Sequence, residues 1–584
     1  MTEIAADTSI DWHSRGLGRG LVVSAIVVGL VVLLLPVKYV VNDDPSFAMM
    51  LSGSDGFQAS ADIPFLSRIL SQVLFGLYAL VPAVPWYGLC LYLSAWLGLG
   101  LLLSVPVSGG IMPAICLGML VGWMPYLAFG LYNISMTQVT LWLELGVFLH
   151  LFYWLRSGRS FPLSPGMLLG TLALGYLWRW EMFLVFLVFA VPLLSLMRKS
   201  DLRRCVPYVL ALVALVAVDR AWESAVTRSL EHKQYIAFNR ARGYFHDRAE
   251  GQRNSATAEA LEAVGWSEND YLAFHDVWML YDEEVLTEDS LRKFVERNGR
   301  QSEEGWLRKG FDRIRQVVVG NRMYLPPFGL SLAVLLAMVG GSWSAIPPGE
   351  RWKMGVAVLV TAGMMAAILF VRFVPRVSFP LFVYLLGLVA LMAAPSASGL
   401  SIRKISISAR QSPLLGLVVI VAVGCWLYWA RVDVSSMRSE SDQRAFVRQG
   451  IESFVNESSS QGLLVPLDPG VALAHVGGGP FRERLPLGST RLMPSGWSVR
   501  SARYHAALCE IGLTDGRTLL KQAVTDQAVY FVRYLRPWDV AGVVEGAWEK
   551  YYAEHFPGAE FRVQQRFAKD GYQLVFFRLV SVGQ

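Results

Sequence analysis

The sequence predicts a mainly α, polytopic membrane protein with about eleven transmembrane helices, residues 1–430, followed by a C-terminal soluble α/β domain, residues 431–584. Three observations predict it. Several apolar runs reach the ~20 residues that a helix needs to cross a bilayer. Only 17% of the 584 residues are charged, below the roughly 25% of soluble domains. The lysines and arginines gather in short loops beside the apolar runs, which is how cytoplasmic loops are marked. The net charge of +6 therefore reports topology, and nucleic acid is not an expected partner.

The basic loops set the path. Arg156 and Arg159 share one; Arg198, Lys199, Arg203 and Arg204 share another; Arg351 with Lys353, and Arg403, Lys404 and Arg410, mark two more. Placing all four in the cytoplasm gives spans near 20–38, 86–104, 110–129, 137–155, 165–179, 181–197, 205–219, 323–341, 352–371, 376–395 and 412–430, with the N-terminus inside and the C-terminus outside. In a bacterium this is a multi-pass protein of the inner (cytoplasmic) membrane with a periplasmic or extracellular C-terminal domain. The first run lacks a small-residue cleavage site and predicts a retained helix. Pro64–Pro82 is apolar, but Ser67, Arg68, Ser71 and Gln72 fall on one helical face. That pattern predicts a juxtamembrane helix in the interface, ending near Trp86-Tyr87. Cys509 is the lone cysteine of the soluble regions and no CxxC spacing exists, which excludes a disulfide there and a zinc motif. No internal repeat of the transporter kind is visible.

Three regions then face outward: the loop 39–85, the loop 220–322 and the C-terminal domain. In the last, Gln443–Glu457 and Val543–His555 read as helices. The segments around Phe561–Phe567 and Tyr572–Leu579 flank Lys569-Asp570-Gly571, a hairpin with an Asp-Gly turn.

The candidate chemistry collects on the outer face. Asn42-Asp43-Asp44-Pro45 stands where the first span leaves the bilayer, and the polar, glycine-rich Ser46–Ala61 after it reads as a loop. Carboxylates there suit a base that takes a proton from a sugar hydroxyl, or a sparse site for a divalent cation, Mg2+ or Mn2+. No motif requires any other cofactor. Arg179 and Glu181 lie in Trp178-Arg179-Trp180-Glu181, and Arg372 and Arg376 flank a short outer turn. A guanidinium fork matches phosphate oxygens in pairs, so Arg179, Arg372 and Arg376 are phosphate-binding candidates. Their ordinary alternatives are helix capping, for Arg372, and snorkelling to headgroups. Glu144 is the one acid well inside a span, about 10 Å below the outer surface at roughly 1.5 Å per residue. It lines a substrate cavity or pairs with a neighbouring helix. In the 220–322 loop, Arg242, His246, Asp247, Asn269 and Asp270 lie among aromatics, a mixture that suits a sugar and equally suits a solvated helical face. Ser267 with Asp270 also has the spacing of a capping box.

This pattern resembles the multi-spanning GT-C glycosyltransferases, which take sugars from polyprenyl-phosphate donors. The features that carry the resemblance are the acidic Asp43-Asp44 after the first span, the Pro64–Pro82 helix, the large loop 220–322 and the outer C-terminal domain. Among bacterial members of DD-motif type, Ser52-Gly53-Ser54-Asp55-Gly56, Trp86-Tyr87 and Gly265-Trp266-Ser267 also look familiar. The likeness covers roughly residues 20–400. It implies an inverting transfer on the outer face, with a polyprenyl-phosphate sugar as donor and a cell-envelope glycan or lipid-linked glycan as acceptor. One of Asp43 and Asp44 is then the base and the other orients the acceptor or holds a cation, while Arg179, Arg372 and Arg376 hold the leaving phosphate. The absence of a WWD-type signature disfavours protein acceptors. The competing readings are a lipid-linked sugar transporter or flippase, against which stand the nearly charge-free span interiors, and a non-catalytic scaffold for envelope glycan assembly.

Overall fold

A computed structural model of the chain describes residues 8–40, 43–108, 127, 130–157, 165–187, 199–226, 230–249, 256–275, 279–300, 348–371, 375–393, 412–458, 462–467, 479–482, 487–536 and 543–581. Helix α1, Thr8–Leu34, covers the first apolar run and stops two residues before Pro36, which cannot continue it. Among the described residues, three helices are long and apolar enough to cross a membrane: Leu17–Leu34, Trp86–Ser104 and Cys205–Val226. The helices Met136–Ser157, Pro165–Trp178, Pro348–Val371 and Pro375–Ala393 fill four more of the expected spans. The expected span 323–341 and nearly all of 110–129 lie outside the described residues, and 181–197 is described only to residue 187.

After α1 comes a two-residue strand, β1 (Lys38–Tyr39), paired in parallel with β2 (Asn133–Ile134) just before the Met136 helix. The next segment corrects the sequence reading. Residues 43–52 form a helix, α2, rather than the start of a loop. The cause is local and tertiary together. Asp43 and Asp44 complement the positive end of the helix dipole, and Pro45 in the first turn costs no hydrogen bond. Phe47, Ala48, Met49, Met50 and Leu51 are all buried in one stretch, so the packing of this short apolar run prevails over the polar, glycine-rich residues that follow it. Helix α3, Arg68–Leu80, forms where expected, with the Ser67 hydroxyl accepting from the Leu70 amide. Its polar face is turned partly into protein: Arg68 and Ser71 are buried while Gln72 is exposed.

The described part of 220–300 carries the helices Leu230–Ala249, Ala258–Glu262, Glu268–His275 and Glu288–Arg300. The last long helix, Ser412–Glu457, runs unbroken through 430–431 and merges the expected span with the expected Gln443–Glu457 helix. Beyond it lies a five-stranded mixed sheet. Strand β3 (Leu463–Pro466) pairs in parallel with β4 (Arg491–Leu492) and β5 (Val529–Leu535). Strand β7 (Tyr572–Ser581) is antiparallel to both β5 and β6 (Ala559–Lys569). The spatial order is β4-β3-β5-β7-β6. The hairpin turn is the expected one, with Asp570 at φ 52° and Gly571 at φ 82°, the paired positive angles of a type I′ turn.

The sheet-bearing part is seated on the membrane-side helices by residues 479–482. Gly479, at φ +78°, lies so close to Val37 that an added Cβ would stand 2.1 Å from the Val37 carbonyl oxygen. A Cβ on Gly88, in α4 (Trp86–Ser108), would stand 2.0 Å from the Pro480 carbonyl oxygen. Phe481 then packs on Tyr92, ring centroids 5.1 Å apart. Gly479→Val is expected to destabilise the protein by roughly 1–3 kcal/mol or more, read as a lower melting temperature in detergent. An unchanged melting temperature would show that this seat is dispensable.

Candidate functional site

The acidic pair is split by its surroundings. Asp44 is fully buried. Its Oδ1 accepts from the Tyr87 hydroxyl at 2.7 Å and from the Met136 amide at 3.0 Å. The second donor is the first residue of a helix, so the carboxylate also meets the positive end of a helix dipole. Tyr87 is itself held: its amide donates to the Tyr78 hydroxyl at 2.9 Å, and its ring stands edge-on to Trp178 at 5.5 Å. Burial pushes the Asp44 carboxyl up to about 7, against the hydrogen bonds from Tyr87 and Met136 and the attraction of Arg179; the Asp43 charge adds to the rise. Its Oδ2 has no partner among the described residues.

Asp43 is different. It is half-buried, and no hydrogen bond or ion pair ties its carboxylate among the described residues. Its charge, with those of Asp62 and Arg242, acts on the buried Tyr235 hydroxyl, whose pKa burial has already raised. Tyr235 donates to the Trp497 carbonyl at 3.2 Å, and the Trp497 ring meets Phe47 of α2 at 5.0 Å. The Asp43 charge thus reaches Tyr235 on the helix Leu230–Ala249, while the Asp44 carboxyl is held by Tyr87 and Met136.

Arg179 stands beside Asp44. It sits at the break between the helices Pro165–Trp178 and Trp180–Phe186. It donates to the Thr137 hydroxyl at 2.6 Å and lies 3.9 Å from Glu181, so the loop does pair these two residues. A second arginine that the sequence reading passed over lies close by. Arg220 packs over the Trp180 ring at 4.3 Å and bonds to Asp219 at 3.0 Å and to the Tyr176 hydroxyl at 3.2 Å. Its place near the end of the apolar helix Lys199–Val226 is the signal that could have found it. Arg376 opens the helix Pro375–Ala393, which packs along the Met136 helix. Arg372 lies outside the described residues, as does the side chain of Asp247.

Glu144 lies on the Met136 helix below Thr137, fully buried, with neither carboxylate oxygen partnered among the described residues. Its side chain lies against Gly175, where an added Cβ would be in ordinary contact, 3.5 Å from Glu144 Cγ. Thr140, between Thr137 and Glu144, donates to the Gly175 carbonyl at 3.1 Å. Glu144 therefore sits on the same seam between two helices as Arg179, about two turns further along the Met136 helix than Thr137.

The other loop candidates fall elsewhere. His246 is buried among rings, stacked on His275 at 5.9 Å. Burial, helped by Arg242 and His275, pushes its pKa well below the ordinary value, so it is a neutral packing residue at pH 7. Arg242 bonds to Asn239 one turn earlier at 2.9 Å. Asp270 completes the capping box, its amide donating to Ser267 Oγ at 3.1 Å and its Oδ2 accepting from the Ser267 amide at 2.8 Å. Its other oxygen meets His555 Nε2 at 2.7 Å, and Asn269 donates to Glu554. Asn269 and Asp270 thus join the 220–300 region to the C-terminal helix Val543–His555, away from the acidic pair.

A divalent cation shared by Asp43 and Asp44 fits this geometry poorly. One Asp44 oxygen is already committed to two donors, and burial favours the protonated acid. Successive residues of a helix also point about 100° apart, at 3.6 residues per turn.

No protein-family model matches the chain, and no curated protein matches it in sequence. Among solved structures it is similar to the crystal structure of ArnT from Cupriavidus metallidurans bound to undecaprenyl phosphate, at 12% identity and a TM-score of 0.39, over 96% of this chain and 97% of that one. At that TM-score the likeness assigns this chain neither a substrate nor a residue role.

Proposed function

We propose that the chain is an inverting glycosyltransferase of the membrane's outer face, built on about eleven spans, which moves a sugar from a polyprenyl-phosphate donor to an envelope glycan or lipid-linked acceptor. The observation that carries the reading is the division of the acidic pair. Asp44 is fixed by Tyr87 and Met136, while the carboxylate of the neighbouring, half-buried Asp43 has no partner among the described residues. Asp43 takes the proton of the acceptor hydroxyl as its oxygen bonds to the anomeric carbon. The bond from that carbon to the phosphate oxygen breaks on the opposite face, and polyprenyl phosphate leaves with the electron pair. Arg179, with Arg376 and Arg372, neutralises the growing phosphate charge and replaces a protein acid. Asp44 is a positioning residue that holds α2.

The test is a transfer assay with purified protein and a panel of polyprenyl-phosphate sugars, following release of free polyprenyl phosphate with an envelope extract as acceptor. Arg179→Ala is expected to lower turnover about 10²–10³-fold. If no donor that binds is turned over, the transport reading moves ahead. If Arg179→Ala matches wild type, phosphate stabilisation belongs to other residues.

A further inference from the structure

A cleft whose lining includes neither member of the acidic pair lies at the junction of the last long helix and the sheet. It encloses about 430 Å³ between the helix Ser412–Glu457 and the tip of the β6–β7 hairpin. Residues 435, 438, 439, 442 and 446 recur at helical spacing and present one face. The type I′ turn carries Lys569 and Asp570 across from them.

The charges around this cleft are arranged unusually. Arg438, Asp442, Lys569 and Asp570 line it, two of each sign. Among the described residues none of the four side chains forms an ion pair or hydrogen bond. The aromatic part is fixed. Tyr572 Oη accepts from Gln443 Nε2 at 2.6 Å, and the Tyr572 ring lies parallel to Tyr534 at 5.9 Å. Phe446 adds a second apolar surface, and two serine hydroxyls complete the rim. A balanced set of unpaired donors and acceptors over rigid rings matches a ligand that both donates and accepts along its length and has apolar faces. That is a saccharide. An anionic headgroup would meet Asp442 and Asp570 as well as the two cations.

The cleft is also tied to the membrane side. Glu440, on the same stretch of helix, pairs with Lys38, five residues before Asp43. The Tyr132 hydroxyl donates to the Met437 carbonyl at 3.4 Å.

We infer that this cleft binds an oligosaccharide stretch of the acceptor, remote from the hydroxyl that reacts. The inference rests on the transferase reading for the word acceptor, but its test is of binding. Full-length protein in detergent is titrated by calorimetry and saturation-transfer NMR with oligosaccharides released by mild acid from bacterial envelope polysaccharides. A parallel titration uses dihexanoyl phosphatidylglycerol. At least one oligosaccharide fraction is expected to bind saturably, to wild type and to Asp43→Asn alike. Asp442→Ala and Asp570→Asn, at exposed positions, are each expected to weaken it about tenfold. Folding is checked by the melting temperature. The inference is overturned if no fraction binds, if both cleft variants bind as wild type does, or if the anionic lipid binds and displaces the sugar. An Asp43→Asn protein that still transfers sugar counts against the base and leaves the cleft untouched.

Discussion

Asp43→Asn lowers turnover about 10²–10⁴-fold, the usual contribution of a positioned base, while Asp44→Asn keeps it within about tenfold. The asymmetry follows from what each amide replaces. An Asn at 44 keeps an oxygen to accept from Tyr87 and Met136, the two bonds that fix α2. An Asn at 43 cannot take a proton, and no other described partner holds that carboxylate. Stability gives an independent reading. The Asp44 pKa rises from 3.8 to about 7 on folding. Between those values the native state holds a proton that the unfolded chain has released, so stability is greatest below the lower value and falls as pH rises through 7. The fall is about 4 kcal/mol at 1.36 kcal/mol per unit. Asp44→Asn removes this dependence and is expected to flatten the melting temperature between pH 5 and pH 8. Activity lost in Asp44→Asn and kept in Asp43→Asn would reverse the two roles. Activity kept in both would make the pair structural.

What the sequence made legible was whatever local pattern controls. Apolar length marked the helices at Trp86, Met136 and Pro375 to within a few residues, and Asp570-Gly571 marked its turn because few dipeptides accept two positive φ angles. Ser267 and Asp270 were recognisable as a capping box from their residue types and three-residue spacing. Two kinds of information were out of reach. One is burial. Ser46–Ala61 reads as a polar, glycine-rich loop, yet α2 forms in its first part because Phe47 and Met49–Leu51 find a core built by distant segments. His246 looks like a proton carrier in a list of residues and becomes a packing ring only when His275 and Phe245 close around it. The other is pairing across the chain. Nothing near Asp44 in sequence announces Tyr87 or Met136, so a difference between two adjacent aspartates could not be read from NDDP alone.

The strongest case of pairing across the chain also gives the second prediction. Arg503→Ala is expected to cost about 3–5 kcal/mol, the range for breaking a buried ion pair from one side. Arg503 and Asp55 are 448 residues apart and both nearly inaccessible. Arg503 Nη2 meets Asp55 Oδ1 and Oδ2, each at 2.9 Å, and its Nη1 donates to the Gln58 carbonyl. The Asp55 carbonyl accepts from the Leu492 amide at 2.8 Å, and Phe57 lies beneath the guanidinium groups of both Arg491 and Arg503. This clasp grips the turn that ends α2, three residues beyond Ser52. The Tyr87 and Met136 bonds grip the first turn of the same helix. Asp43 is therefore placed by a membrane-side anchor at one end of α2 and a C-terminal anchor at the other. Removing the arginine strands the Asp55 carboxylate, whose pKa burial raises even with the arginine in place. The loss is thus expected to be larger at pH 8 than at pH 5, where a lone carboxyl takes a proton. Asp55→Asn added to Arg503→Ala restores part of the melting temperature, because no buried charge is left unpaired. Turnover is expected to fall further than bound donor in Arg503→Ala and to recover partly in Arg503→Lys. An Arg503→Ala protein with wild-type melting temperature and turnover would show that the C-terminal part does not hold the acidic helix.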